Sequence, residues 1–263
     1  MAVITTSIWE ARLIRESIRK LTLRHYFRQS IDNFKNMSPD WFDSMSRFFI
    51  DAEQADENGI VHIGGKLTPD WLLDAYTHGI FPWPLTHPSR REKSLLAWFS
   101  PDPRCIFEFE QFHVSRRLKR TCKSGRFRIT LDTDFSGVIR GCAEQHESEG
   151  IWITPEMVKA YTLLYHLGYA HSVEVRHDNE LAGGVYGVAI GGLFAAESMF
   201  FRRRDASKVA LVALLHHLED RDYQLVDIQV KTEHTARFGA VEIPRSEYLH
   251  RLKRALHHTP KPF

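Results

Sequence analysis

The chain has 263 residues, 43% of them hydrophobic and 12% aromatic, an ordinary globular composition that can bury one sizeable core and a small second one. Lys and Arg total 35 against 33 Asp and Glu, a formal net charge of +2, so any affinity for nucleic acid must come from local clustering and not from global charge. Cys105, Cys122 and Cys142 form no CxxC pair, and an odd count argues against a secreted disulfide framework. Glu10, Arg12, Arg15 and Glu16 interrupt every candidate signal segment, and no stretch approaches 18 apolar residues, so a cytoplasmic protein with no membrane contact is expected.

Apolar positions at Ile8, Leu13, Ile14, Ile18, Leu21, Leu23 and Phe27 among many Arg and Lys predict an amphipathic basic helix over 8–30, its charged face either solvated or touching RNA. Thr68-Pro69 opens a helix over about 69–78, closed by Gly79. Residues 84–93 read as an exposed connector. Arg126–Leu131 alternates as a strand, Pro155–Leu167 has helical spacing closed by Gly168, and His171–Arg176 alternates again. Glu180–Val188 and Gly191–Met199 read as two strands joined at a Gly-rich turn, Ser207–Leu218 as a helix and Gln224–Val230 as a further strand. That order predicts an α+β domain on a central sheet.

Between Gln111 and Thr130, Arg116, Arg117, Lys119, Arg120, Lys123, Arg126 and Arg128 occur without one Asp or Glu. Phosphate binding needs such unneutralised density; the alternative is a solvated basic helix. Trp83, Trp98 and Trp152 stand outside apolar runs, where they can stack an unpaired nucleotide or serve as core. Glu197 lies on a strand with Phe194, Met199 and Phe200, while Asp227 and Gln229 are two apart on another, which in a regular strand puts them on one face. A carboxylate and a carboxamide on an apolar strand are costly to bury without partners. They are either a functional pair or a structural hydrogen-bonding network. His216-His217 and His257-His258 have no Cys or carboxylate partners at ligand spacing, so no metal site is expected.

The segments Gly64-Gly-Lys-Leu-Thr-Pro69, Gly79-Ile-Phe-Pro-Trp83, Trp98-Phe-Ser-Pro-Asp-Pro-Arg104, Gly150-Ile-Trp-Ile-Thr154, Glu197-Ser-Met-Phe200 and Val226-Asp-Ile-Gln-Val230 occur in that order. Together with His234-Thr-Ala236 and Gly239-Ala-Val-Glu-Ile-Pro-Arg245, they resemble the ordered motifs of the leucyl/phenylalanyl-tRNA–protein transferases over roughly residues 58–250. The resemblance implies a GNAT-like acyltransferase domain over 105–263, a small N-terminal domain over 56–104 and a helical basic extension over 1–55. It implies transfer of Leu or Phe, with Met as a further donor, from aminoacyl-tRNA to the N-terminal Arg or Lys of acceptor proteins, which tags them for degradation. It also implies a cytoplasmic monomer with no cofactor, metal or membrane.

By position, Asp227 and Gln229 resemble the catalytic pair, and Glu197 a residue that receives the charged acceptor N-terminus. Trp83 and Trp152 resemble the residues that hold the 3′ adenosine. Val185, Phe194, Met199, Leu211, Leu214 and Val226 resemble an apolar pocket for the donor side chain. Lys119, Arg120, Lys123, Arg126 and Arg128 fall in the patch that grips the acceptor stem. Two rival readings are an acetyl-CoA-dependent acetyltransferase, which needs a pyrophosphate-binding loop not found ahead of a helix here, and a non-catalytic RNA-binding protein.

Overall fold

A computed structural model of the chain describes residues 42–85, 95–145 and 153–263. The helix expected over 8–30, the Gly150-Ile-Trp152 motif and most of the connector expected over 84–93 lie outside the described residues. All the described residues belong to one compact unit, with mixed helices and strands as expected for an α+β chain.

Strands β1 (Ile60–Ile63), β2 (Phe81–Leu85) and β3 (Leu95–Phe99) form a three-stranded antiparallel sheet in the order β1-β3-β2. Helix α1 (Pro69–Thr77) precedes β2. Pro84 and Leu85, expected in the connector, belong to β2 instead. Pro82 and Pro84 are tolerated there because β2 is an edge strand, and alternate positions lack their N–H on the same outer side.

The larger sheet holds β4 (Arg104–Phe107), β5 (Arg128–Leu131), β6 (Ala170–His177), β7 (Glu180–Ile190), β8 (Leu193–Phe201), β9 (Leu225–Gln229) and β10 (Val241–Ile243), in the order β10-β4-β9-β8-β7-β6-β5. Every neighbouring pair is antiparallel except β8 and β9. Those two run parallel across Leu193↔Leu225, Phe194↔Val226 and Ala195↔Asp227, and the pairing then stops although β8 continues to Phe201. An opening between two strands thus starts beside Asp227.

The helices are α2 (Arg116–Lys123), α3 (Phe135–Gln145), α4 (Pro155–His166), α5 (Ala206–Asp220), α6 (Glu233–Ala236) and α7 (Arg245–Leu256). Ser115 and Thr154 cap α2 and α4 by accepting from the N–H groups of Leu118 and Met157, which satisfies donors that a helix start otherwise leaves open. Against α5, Val185, Phe194, Leu211, Leu214 and Val226 are buried in one apolar core with Cys105, and Met199 packs on it. Burial of apolar surface of this kind stabilises a fold by about 25 cal/mol per Å².

Candidate active site

Two bulges break the alternation of the sheet where the candidate residues lie. On β8, Tyr186 faces Ser198 but Gly187 faces Ala196, so Glu197 is the extra residue. On β9, Ile106 faces Asp227 but Cys105 faces Gln229, so Ile228 is extra, and Gln229 has φ +58°. Bulges re-aim side chains and are enriched beside active sites. The expectation that Asp227 and Gln229 share a face assumed an unbroken strand, and the structure overturns it: Gln229 pairs with Cys105, which belongs to the α5 core, whereas Asp227 points to Arg104 and α7.

Asp227 is fully buried and its carboxylate is saturated. Oδ1 accepts from Arg104 Nε at 2.9 Å and from the Gln229 N–H at 2.9 Å; Oδ2 accepts from Arg104 Nη2 at 2.6 Å and from the Tyr248 hydroxyl at 2.9 Å. Two carboxylate oxygens offer about four lone-pair positions, and four donors occupy them. Arg104 is itself buried, donates through Nη1 to Gly79 O at 2.9 Å, and lies between the rings of Phe81 and Tyr248. Burial alone would lower the guanidinium pKa, but the Asp227 carboxylate more than offsets this and raises it, so Arg104 keeps its charge in a bidentate pair. Arg104 thereby ties the turn before β2 to β9.

Glu197 contrasts with Asp227. Its Oε2 accepts from the Tyr161 hydroxyl at 2.9 Å, which is 2.5 Å from the Tyr76 hydroxyl, while Oε1 is buried with no partner among the described residues. Burial raises its pKa to about 7, against the lowering effect of the tyrosine hydroxyls. With its carboxamide oriented to satisfy its neighbours, Gln229 donates to Ala196 O at 3.0 Å across the opening between β8 and β9. The Gln229 carboxamide and the backbones of Asp227 on β9 and Glu197 on β8 therefore flank the start of that opening.

Trp83 is 40% exposed on β2 with Phe81 edge-on at 6.4 Å. Trp98, considered as a stacking residue, is instead fully buried among Phe49 and Trp71, its indole N–H donating to Gly64 O at 2.9 Å. Trp152 lies outside the described residues. Arg116, Lys119, Arg120 and Lys123 on α2, Arg126 on the approach to β5 and Arg128 at its start are all exposed. Arg117 is set apart from them, because Asp205 holds it in a bidentate pair at 2.8 and 3.0 Å. Arg104, Tyr76, Tyr161 and Tyr248 were missed by the sequence reading. Their partners lie far away in the chain, 123 residues from Arg104 to Asp227, and only the Arg104 motif hinted at any of them.

Among the described residues no helix is long and apolar enough to cross a membrane, and no group of three His, Cys, Asp or Glu is placed to hold a metal.

Two family models cover most of the described sheets: "leucyl/phenylalanyl-tRNA protein transferase" matches residues 106–253 and its N-terminal domain matches 65–102. A leucyl/phenylalanyl-tRNA–protein transferase from an Anaeromyxobacter species is 50% identical over 210 residues, 79% of this chain and 87% of the relative. The chain belongs to the leucyl/phenylalanyl-tRNA–protein transferase family. A second relative of the same name, from Magnetococcus marinus, is 49% identical over 213 residues, 79% of this chain and 88% of its own. Among solved structures, an aminoglycoside acetyltransferase from an uncultured soil metagenomic sample matches 44% of this chain and 86% of its own at 13% identity and a TM-score of 0.35.

Proposed function

We propose that the chain transfers Leu or Phe, and Met as a further donor, from aminoacyl-tRNA to the N-terminal amine of acceptor proteins that begin with Arg or Lys, marking them for degradation. The observation that carries this reading is the unpartnered Oε1 of Glu197, a residue of β8 two positions past the last one that pairs with β9. A buried acceptor without a donor is costly, and an incoming ammonium supplies one. The α-amine of a peptide has a pKa of about 8, so a carboxyl with a pKa of about 7 is matched to take the proton that must leave before the amine can attack.

The neutral amine then attacks the ester carbonyl carbon. A C–N bond forms, the C–O bond to the ribose breaks, and the proton shed by the amine nitrogen goes to the departing ribose oxygen. In this scheme Gln229 touches the reacting atoms and Asp227 positions it, because every acceptor site on Asp227 is already used. Much of the rate comes from orientation. Val185, Phe194, Met199, Leu211, Leu214 and Val226 receive the donor side chain, Trp83 and Trp152 hold the terminal adenosine, and Lys119, Arg120, Lys123, Arg126 and Arg128 grip the acceptor stem. In this reading the chain works as a cytoplasmic monomer, with the small domain over 56–104 set before the catalytic domain over 105–263.

The test is transfer of labelled Leu or Phe from charged tRNA to peptides that begin with Arg, Lys, Asp or Glu. Transfer to the basic starts is expected; transfer only to the acidic starts overturns the acceptor class, and no transfer overturns the activity. Replacing both Lys123 and Arg128 with Ala is expected to weaken tRNA binding and lower the slope of log K against log salt by about 1–2. An unchanged slope removes the patch from the interface.

A further inference from the structure

Phe263 lies beyond the 106–253 segment that the family model matches, yet it packs on the apolar core that includes the proposed donor chamber. Its ring stacks on Phe194 with centroids 5.6 Å apart and planes 17° apart. The Phe194 ring is confined from two further directions. It lies against the bare backbone of Gly187, where an added Cβ would come within 2.4 Å of Phe194 Cε1, and the ring of Tyr223 stands edge-on at 6.4 Å.

Phe263 is itself clamped. It stacks on His171 at 4.4 Å and meets His217 edge-on at 4.7 Å, while Asp132 fixes His171 at 2.7 Å. The backbone before it is tied to the end of α5: Lys261 N donates to Arg221 O at 2.9 Å, and Arg221 Nη1 donates to Pro262 O at 2.9 Å. Phe194 thus has a rigid ring behind it and no room to withdraw.

We infer that Phe263 is a specificity-determining positioning residue, which buttresses Phe194 and so sets how large a donor side chain the chamber accepts. This rests on the proposed placement of Phe194 in that chamber. Truncating Phe263 opens space into which Phe194 can retreat, so the chamber deepens and the balance moves from Leu toward the larger Phe. A methylene-scale change in an apolar pocket is worth about ten-fold or more in discrimination. A purely structural role would lower transfer of both donors alike.

The experiment measures kcat/KM for leucyl- and phenylalanyl-tRNA with one Arg-starting peptide, for the wild type and for Phe263→Ala and Phe263→Leu. The Phe-to-Leu ratio is expected to rise by about ten-fold in Phe263→Ala and by less in Phe263→Leu; the second variant reads the same ratio if the first fails to fold. A ratio within two-fold of wild type in a folded variant overturns the buttress. Absence of transfer by the wild type overturns the reading beneath it, and is distinguishable because no ratio then exists.

Discussion

The two carboxylates of the site, Asp227 fully buried and Glu197 partly buried, are built in opposite ways. Asp227 has an arginine, a tyrosine and a backbone N–H filling its acceptor positions, whereas Glu197 faces only the hydroxyls of Tyr161 and Tyr76, and its Oε1 has no hydrogen-bond partner among the described residues. A carboxylate that is saturated and ion-paired holds other groups in place; one left partly unsatisfied in the fold is arranged for a donor that the fold does not supply. In the proposed function, this difference gives Asp227 a positioning role and Glu197 the contact with the substrate amine.

The largest effect that can break this contrast is on stability. Arg104→Leu strips Asp227 of its counter-ion and leaves a buried charge, which is expected to cost roughly 3–5 kcal/mol in urea unfolding. A loss below about 1 kcal/mol would mean that the pair is not buried and tight as described. Glu197 sharpens the contrast through pH. Its folded-state pKa of about 7 lies above the ordinary 4.5, so the folded chain holds this proton more tightly than the unfolded one. Stability is therefore lost as pH rises through 7. Glu197→Gln lacks that loss and should gain on the wild type by on the order of 3 kcal/mol between about pH 4 and pH 8; parallel stability curves would refute the shift. The smallest effect is Tyr248→Phe, which removes one of four donors from Asp227 and is expected to cost about 1 kcal/mol, with no change in the pH dependence attributed to Glu197.

Much of the framework was legible because it follows local rules. The alternation of β6, the Gly-rich turn between β7 and β8, the Thr68-Pro69 start of α1, the helical spacing of α4 and the run of basic residues on α2 are properties of neighbouring residues. Helix α3 was not legible. It carries Gly137 and Gly141, poor helix formers, and Gly141 is required by the Phe200 ring, which a Cβ there would meet at 2.5 Å. The short strands β3 and β4 and helix α7 also went unread. At the site, Asp227, Gln229 and Glu197 could be picked out as polar residues on apolar strands, but their directions could not. Both bulges depend on partner strands distant in sequence, so a period of two placed Asp227 and Gln229 on one face when Gln229 turns toward the β8–β9 opening. The Trp98 environment was equally hidden, since burial by Phe49 and Trp71 is a tertiary fact.

The most direct test of the central claim is single-turnover transfer of phenylalanine from its tRNA to an Arg-starting peptide by Glu197→Gln at pH 8, with urea unfolding measured on the same sample. Transfer is expected to fall by about 100-fold or more while stability equals or exceeds that of the wild type. Transfer within two-fold of wild type by the folded variant would contradict the account, because the empty oxygen of Glu197 would then receive nothing that the reaction needs.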